Sequence, residues 1–301
     1  MEKLSFKSLS LFVLIAAAIF TSCKEDDPPA AQDPTITDIV VSDPNFSILE
    51  AAVVRAGLAN ALASGSLTVF APDNAAFQAA GITEAAIATI PVSTLDSILK
   101  YHVIGSPIAS GSVPVSDTVK TLLGTNLYAS RNGNGVFVNG IEVKTADVAA
   151  RNGVIHVIEN VLTPPTQTIA QIAAGNPAFS TLVTAVQRAG LLAAISGSGN
   201  YTVFAPTNDA FIAAGISDIE AVPDATVEAV VKYHVITTNV FASDLVNNAT
   251  PATLQGGNLL VTLPPPAVKV SGSANPPSAI TTANIVATNG VIHVIDRTIL
   301  P

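Results

Sequence analysis

The chain reads as an α+β protein built from two copies of one domain. Three observations predict this. A set of motifs occurs twice in the same order, the first half of each copy has helical apolar spacing, and the second half has short alternating apolar runs broken by turn residues.

The duplication is direct. TVFAPDNAAF at 68–77 returns as TVFAPTNDAF at 202–211, KYHVI at 100–104 returns unchanged at 232–236, and NGVIHVI at 152–158 returns unchanged at 289–295. A spacing of roughly 133 residues is too long for a solenoid repeat and suits one whole domain per copy. The copies are expected at 35–163 and 168–301, joined by a linker at 164–167 that opens on Pro164-Pro165.

Each copy should begin helical. Asp43 is placed to cap a helix with Pro44 in its first turn and Gly57 past its end, and Phe46, Leu49, Val53 and Ala56 share one face. The second copy repeats this with Asn176, Pro177 and Gly190, and with Phe179, Leu182, Val186 and Ala189 on the face. The apolar run 67–71 predicts a buried strand ended by Pro72, with helices over 75–80 and 93–100 after it. The Tyr-His pairs Tyr101-His102 and Tyr233-His234 are read as strand residues, so one of each pair should face the core and the other lie nearer the surface. Residues 127–137 and 136–143 alternate around Gly and Asn-Gly pairs that favour hairpins, and Asn152-Gly153 leads into a strand at 154–158. Extra residues in the second copy fall between Gly272 and Ile280, where Asn275-Pro276-Pro277 predicts a surface loop.

Composition narrows the function. Apolar residues make up 49% of the chain and charged ones 12%, enough material for two real cores. A formal charge of −9, with no basic run, excludes nucleic acid as a partner. Cys23 is the single cysteine, so no intramolecular disulfide forms and stability must come from packing.

The N-terminus reads as an address. Lys3 and Lys7 precede an apolar run at 11–20, too short for a bilayer, which needs about 20 residues, but suited to a secretory signal. Thr21, Ser22 and Cys23 follow, and this resembles the lipobox of bacterial lipoproteins, in which the cysteine is acylated after removal of the signal, here residues 1–22. Several acyl chains make a durable membrane anchor. Lys24, Glu25, Asp26 and Asp27 resemble the tag that sends lipoproteins of Bacteroidetes-type bacteria to the outer face of the outer membrane. Residues 23–34 would be an acidic, proline-rich tether.

The order TVFAP-x-N-x-AF, then YH, then NGVIHVI resembles the fasciclin domain over almost all of 35–301. That resemblance implies a β-sandwich or wedge of about seven strands with helices packed along it, and adhesion rather than catalysis. In animal members the Tyr-His motif is linked to integrin-mediated adhesion, so Tyr101, His102, Tyr233 and His234 become candidate adhesion residues. Read from the residues alone, these histidines are buried and hydrogen-bonded, pinning the strand. His156 and His293, inside VIHVI, are read as core histidines, and Asn74 and Asn208 as turn and cap residues of the structural motif. Four histidines without short ligand spacing and a single cysteine indicate no metal site, and no cofactor motif is present. No nucleophile elbow or phosphate loop occurs, and the carboxylates are scattered. The expected function is non-enzymatic surface adhesion to an extracellular protein or polysaccharide. The alternatives are a structural or carrier envelope protein holding a protein or glycan, and a hydrolase whose site is assembled from distant residues.

Overall fold

A computed structural model of the chain describes residues 32–263, 269–272 and 276–301. The expected signal peptide, Cys23, the tag Lys24, Glu25, Asp26 and Asp27, and Asn275 of the expected loop lie outside the described residues. Residues 33–301 form one compact unit.

The first repeat runs through helix α1 (Ile36–Ser42), a 3-10 turn Pro44–Phe46 that continues into α2 (Ser47–Ala56), α3 (Ala59–Ala63), strand β1 (Leu67–Pro72), α4 (Asn74–Ala79), α5 (Glu84–Ile87) and α6 (Val92–Tyr101). Strands β2 (Val103–Ile104), β3 (Ser116–Lys120), β4 (Asn126–Asn132), β5 (Gly135–Val138), β6 (Ile141–Ala150) and β7 (Gly153–Ile158) follow. The second repeat has α7 (Ile169–Ala174), a 3-10 turn Pro177–Phe179, α8 (Ser180–Arg188), α9 (Leu192–Ser196), β8 (Tyr201–Pro206), α10 (Asn208–Ala213) and α11 (Asp224–Tyr233). It ends in β9 (Val235–Ile236), β10 (Leu260–Thr262), β11 (Lys269–Ser271), β12 (Ser278–Ala287) and β13 (Gly290–Ile295). Among the described residues the sheet orders are β2-β1-β7-β6-β5-β4-β3 and β10-β11-β12-β13-β8-β9. The α+β reading, helices first and strands after, holds in both repeats.

Local chemistry sets the helix ends. Gly57 closes α2 at φ +70°, donating back to the Val53 and Val54 carbonyls, as a left-handed C-cap does. Asp43 and Asn176 cap the two 3-10 turns through the Asn45 and Ala178 N–H groups. The sequence reading omits α1 and α7. Both start from a capping box, Thr35 with Asp38 and Thr168 with Gln171, and the Thr168-x-x-Gln171 spacing is a legible helix start.

The sheet is organised by a parallel pair. β1 lies beside β7 from Leu67 opposite Gly153 to Pro72 opposite Ile158, and β8 lies beside β13 in the same way. Every residue of β1 is buried because the pair is covered on both faces. Leu67, Val69, Ala71 and Ile155 pack under the helices with Leu49, Val53 and Leu99. Phe70 and Ile158 point the other way, into a second core with Tyr101, Leu127 and Val138. That second core exists because β6 folds the sheet over. Its first residues pair with β5 and its later ones with β7, with register shifts between Val143 and Val148 and Asp147 at φ 60°. The strand expected to end at 143 therefore runs on to Ala150. Exposed residues 144–147 span the irregularity, and the alternation that marks a strand is lost there. β3 also escapes the sequence reading, since this edge strand is largely exposed and carries no apolar alternation.

The Asn-Gly pair before the last strand is a steric requirement. Gly153 sits at φ +148° with a hypothetical Cβ only 2.0 Å from the Leu67 carbonyl oxygen, and Gly290 repeats this at φ +153° and 2.0 Å from the Tyr201 carbonyl. No side chain fits against a backbone oxygen at that distance. Gly153→Ala and Gly290→Ala should each cost at least about 2 kcal/mol of unfolding free energy. Urea titration of the full chain checks this, and an unchanged midpoint in either variant would refute the steric account.

Candidate functional site

The Tyr-His pairs do not lie in strands. Tyr101 ends α6 and His102 is its C-cap; Tyr233 ends α11 and His234 caps it in the same way. The two-residue strands Val103–Ile104 and Val235–Ile236 begin only after them. The expectation that one of each pair lies nearer the surface is also corrected, since Tyr101, His102, Tyr233 and His234 are all buried. At a helix terminus successive residues are not thrown to opposite faces, so both side chains enter the interior, the tyrosine into the second core.

Each histidine is a clasp between two backbone segments. His102 Nδ1–H donates to the Ile98 carbonyl at 2.8 Å, and Nε2 accepts from the Leu162 N–H at 2.9 Å. His234 does the same with the Val230 carbonyl and the Ile299 N–H, at 2.7 and 2.9 Å. These partners require the neutral ring with its proton on Nδ1. In His156, Nε2–H donates to the Ile108 carbonyl at 2.8 Å and Nδ1 accepts from the Asp147 N–H at 3.2 Å. His293 donates to the Val240 carbonyl at 2.9 Å and accepts from the Asn284 N–H at 3.4 Å. These two rings also stack on Phe70 and Phe204, with centroids 5.5 Å apart in both cases. Asp147 and Asn284 hold equivalent bulge positions at φ 60° and 61°, and the histidines bond the backbone N–H that each bulge frees from the ladder.

The asparagines work at longer range than expected. Asp73 and Thr207 cap the helices that follow them. Asn74 instead reaches back to the start of α2, accepting from the Ile48 N–H at 3.0 Å and donating to the Pro44 carbonyl at 2.9 Å. Asn208 repeats this with the Thr181 N–H and the Pro177 carbonyl, both at 3.0 Å. Asn152, expected only in the turn into the last strand, and its counterpart Asn289 cap α1 and α7 by accepting from the Ile36 and Ile169 N–H groups at 2.9 Å. Their presence in the repeated NGVIHVI motif was the available signal.

What faces solvent beside the Tyr-His segments is a leucine in each repeat. Leu122 donates its N–H to the Val103 carbonyl and Leu254 to the Val235 carbonyl, both at 2.7 Å. Their side chains are 47% and 37% exposed, at equivalent positions next to the buried pairs. The repeats meet through the Tyr128 and Phe241 rings, 4.7 Å apart, packed with Val291. Ser130 Oγ–H donates to Asp244 at 2.6 Å and Asn132 Nδ2–H to the Ser243 carbonyl at 2.7 Å. Burial pushes the Tyr128 hydroxyl up to about 12, and the Asp244 carboxylate adds to that. An open cleft of about 390 Å³ follows the linker at this junction, bordered by Asn139, Thr166, Gln167 and Asn284, with no charged side chain among its described lining residues.

The Fasciclin domain family model matches residues 44–164 and 177–301. The chain belongs to the fasciclin domain family. Its two fasciclin domains are similar to part of the pig transforming growth factor-beta-induced protein ig-h3, 29% identical over 244 residues, which is 79% of this chain and 35% of that protein. Human periostin is 28% identical over 243 residues, 79% of this chain and 28% of that protein. A Synechocystis protein, sll1483, is 39% identical over 150 residues, 48% of this chain and 79% of that protein. The chain thus spans about a third of the length of these animal relatives. Among solved structures, the FAS1 domain pair of the insect cell adhesion molecule fasciclin I matches with a TM-score of 0.43 and 18% identity, covering 88% of this chain and 96% of that one. No helix among the described residues of the fasciclin domains is long and apolar enough to cross a membrane.

Burial holds His102 and His234 down to about 4, against an ordinary value of 6.5, although their bonds to Ile98 and Val230 act the other way. As pH falls through 6.5 the unfolded chain takes up protons that the folded one refuses. Through these two rings stability should therefore decline between pH 6.5 and about 4, by about 3 kcal/mol each. Asp38 and Asp147, held below 3.8 by Thr35 and Ser110, add their loss only in more acid solution. Urea midpoints measured across this range test it; a midpoint constant from pH 7 to 4 would refute the neutral-clasp assignment.

Proposed function

We propose that this protein is a non-enzymatic adhesion lipoprotein of the cell surface, anchored through acylated Cys23 and carried outward by the Lys24, Glu25, Asp26 and Asp27 tag. The observation that carries the reading is that both halves of the chain belong to a family whose resemblance implies adhesion. The geometry supports it in two ways. All four imidazoles have both nitrogens engaged with backbone, which leaves them holding structure. The Tyr-His segments hold an exposed leucine at one place in each domain, and tandem copies of a weak contact add up when both engage one polymer.

The contact surface is then built by Tyr101, His102, Tyr233 and His234 from beneath and presented by Leu122 and Leu254. The partner is an extracellular protein or an uncharged polysaccharide, in keeping with the uncharged cleft between the domains. A strain lacking the protein should attach less to cells or matrix, and a Leu122→Asp, Leu254→Asp double variant should lose at least about fivefold in attachment while folding normally. Unchanged attachment and biofilm in the deletion strain would overturn the adhesion reading. A stoichiometric envelope partner captured by crosslinking from that strain's parent would favour a carrier role. Mass spectrometry of the mature protein should find Cys23 acylated, and a Cys23→Ala variant should leave the membrane fraction.

A further inference from the structure

The two domains share a frame but differ in how well their helical cores are filled. In the first domain the space between α1, α2 and α3 and the β1 strand is a remnant of about 50 Å³, whereas the same place in the second domain holds about 130 Å³. The sequence accounts for the difference. Where the first domain has Val40 and Leu99, the second has Ala173 and Val231, three carbon atoms fewer around one volume.

The entrance differs too. In the first domain Thr37 Oγ1–H donates to the Ala59 carbonyl at 3.1 Å, strapping α1 to α3. Ala170 stands at the equivalent position and has no hydroxyl to make this strap between α7 and α9. Val54, on the outer face of α2, is matched by exposed Gln187, and Ala59 by Leu192, 40% exposed at the rim. The interior offers no hydrogen bond. Its walls are Ile169, Phe179, Leu182, Val186 and Ile292, and His234, which also borders it, already spends both nitrogens on Val230 and Ile299.

We propose that this cavity of the second domain is a binding site for a small uncharged lipophile, a ring or short hydrocarbon of about six carbons entering between α7 and α9. An engineered apolar cavity of about 150 Å³ lined by aliphatic and aromatic side chains stays dry and takes up benzene or xenon, and this volume and lining are of that kind. Nothing inside could solvate water or a charge, so the ligand is apolar over the part that enters. A hydroxyl or carbonyl at its outer end would meet the Gln187 amide. The site is independent of the adhesion surface and stands whether or not that reading does.

The test uses the full mature chain with benzene and 1-hexanol as probes, followed by methyl NMR and thermal shift. Saturable shifts are expected at the Ile, Leu and Val methyls of the second domain's helical core and not at their counterparts in the first. Restoring the first domain's residues, Ala173→Val with Val231→Leu, should weaken binding at least tenfold. The reciprocal Val40→Ala, Leu99→Val change should create binding in the first domain, and it keeps the test decisive if the filled variant fails to fold. Benzene alone binding marks a ring site and hexanol alone a chain site. Neither probe binding, or equal binding by the folded filled variant, overturns the proposal.

Discussion

Each domain closes on itself through the parallel ladder between its first strand and its last, β1 with β7 and β8 with β13. A ladder covered on both faces leaves no water for any backbone group that the strands fail to pair, and each such group would cost about 1–3 kcal/mol. The problem is sharpest at two places: where the chain leaves the domain after the final strand, and where β6 and β12 bulge. The four histidines stand there. His102 and His234 take the N–H groups of Leu162 and Ile299, and His156 and His293 take those of Asp147 and Asn284. An imidazole suits the task because one neutral ring both donates and accepts, and so ties two segments with no residual charge.

Under the adhesion reading proposed above, this arrangement ties function to stability. The Tyr-His pair sits beneath the surface it shapes. Tyr101 bonds the Asn126 carbonyl and receives a bond from Asn139 Nδ2–H, so a helix end, a strand and the edge of the inter-domain cleft are fixed together. A substitution in the pair would alter the surface around Leu122 or Leu254 by loosening its support, without removing an exposed group. The two domains, locked by Tyr128 against Phe241 and by Ser130 with Asp244, then present their leucines from a common support.

Duplication lets one copy serve as the measure of the other. The clasps, long-range asparagine caps and glycine contacts recur residue for residue, while Val40 and Ala173 or Leu99 and Val231 do not. The histidine, asparagine and glycine positions that serve the buried backbone are kept in both copies, because one missing partner strands another. Positions that fill apolar space tolerate drift at the cost of a cavity.

By itself the sequence determined the duplication, the family, the buried first strand, the helix capped by Asp43 and Gly57, and the helical-then-stranded order of each domain. These follow from local spacing, capping chemistry and repeated words, which need no knowledge of distant neighbours. Only the tertiary structure decided that Tyr101-His102 ends a helix, that β6 runs through a bulge to Ala150, that exposed β3 joins the sheet, and that Asn74 caps the helix before it. KYHVI is too short to show a clear period, and Asn74 is 26 residues from its partner. β3, an exposed edge, is fixed only by its pairing with β4. For the Tyr-His pair, the β6 bulge and Asn74 the physical reason is the same: a group buried by a folded sheet takes its hydrogen bonds from whatever segment the topology brings near, and no local pattern records which segment that is.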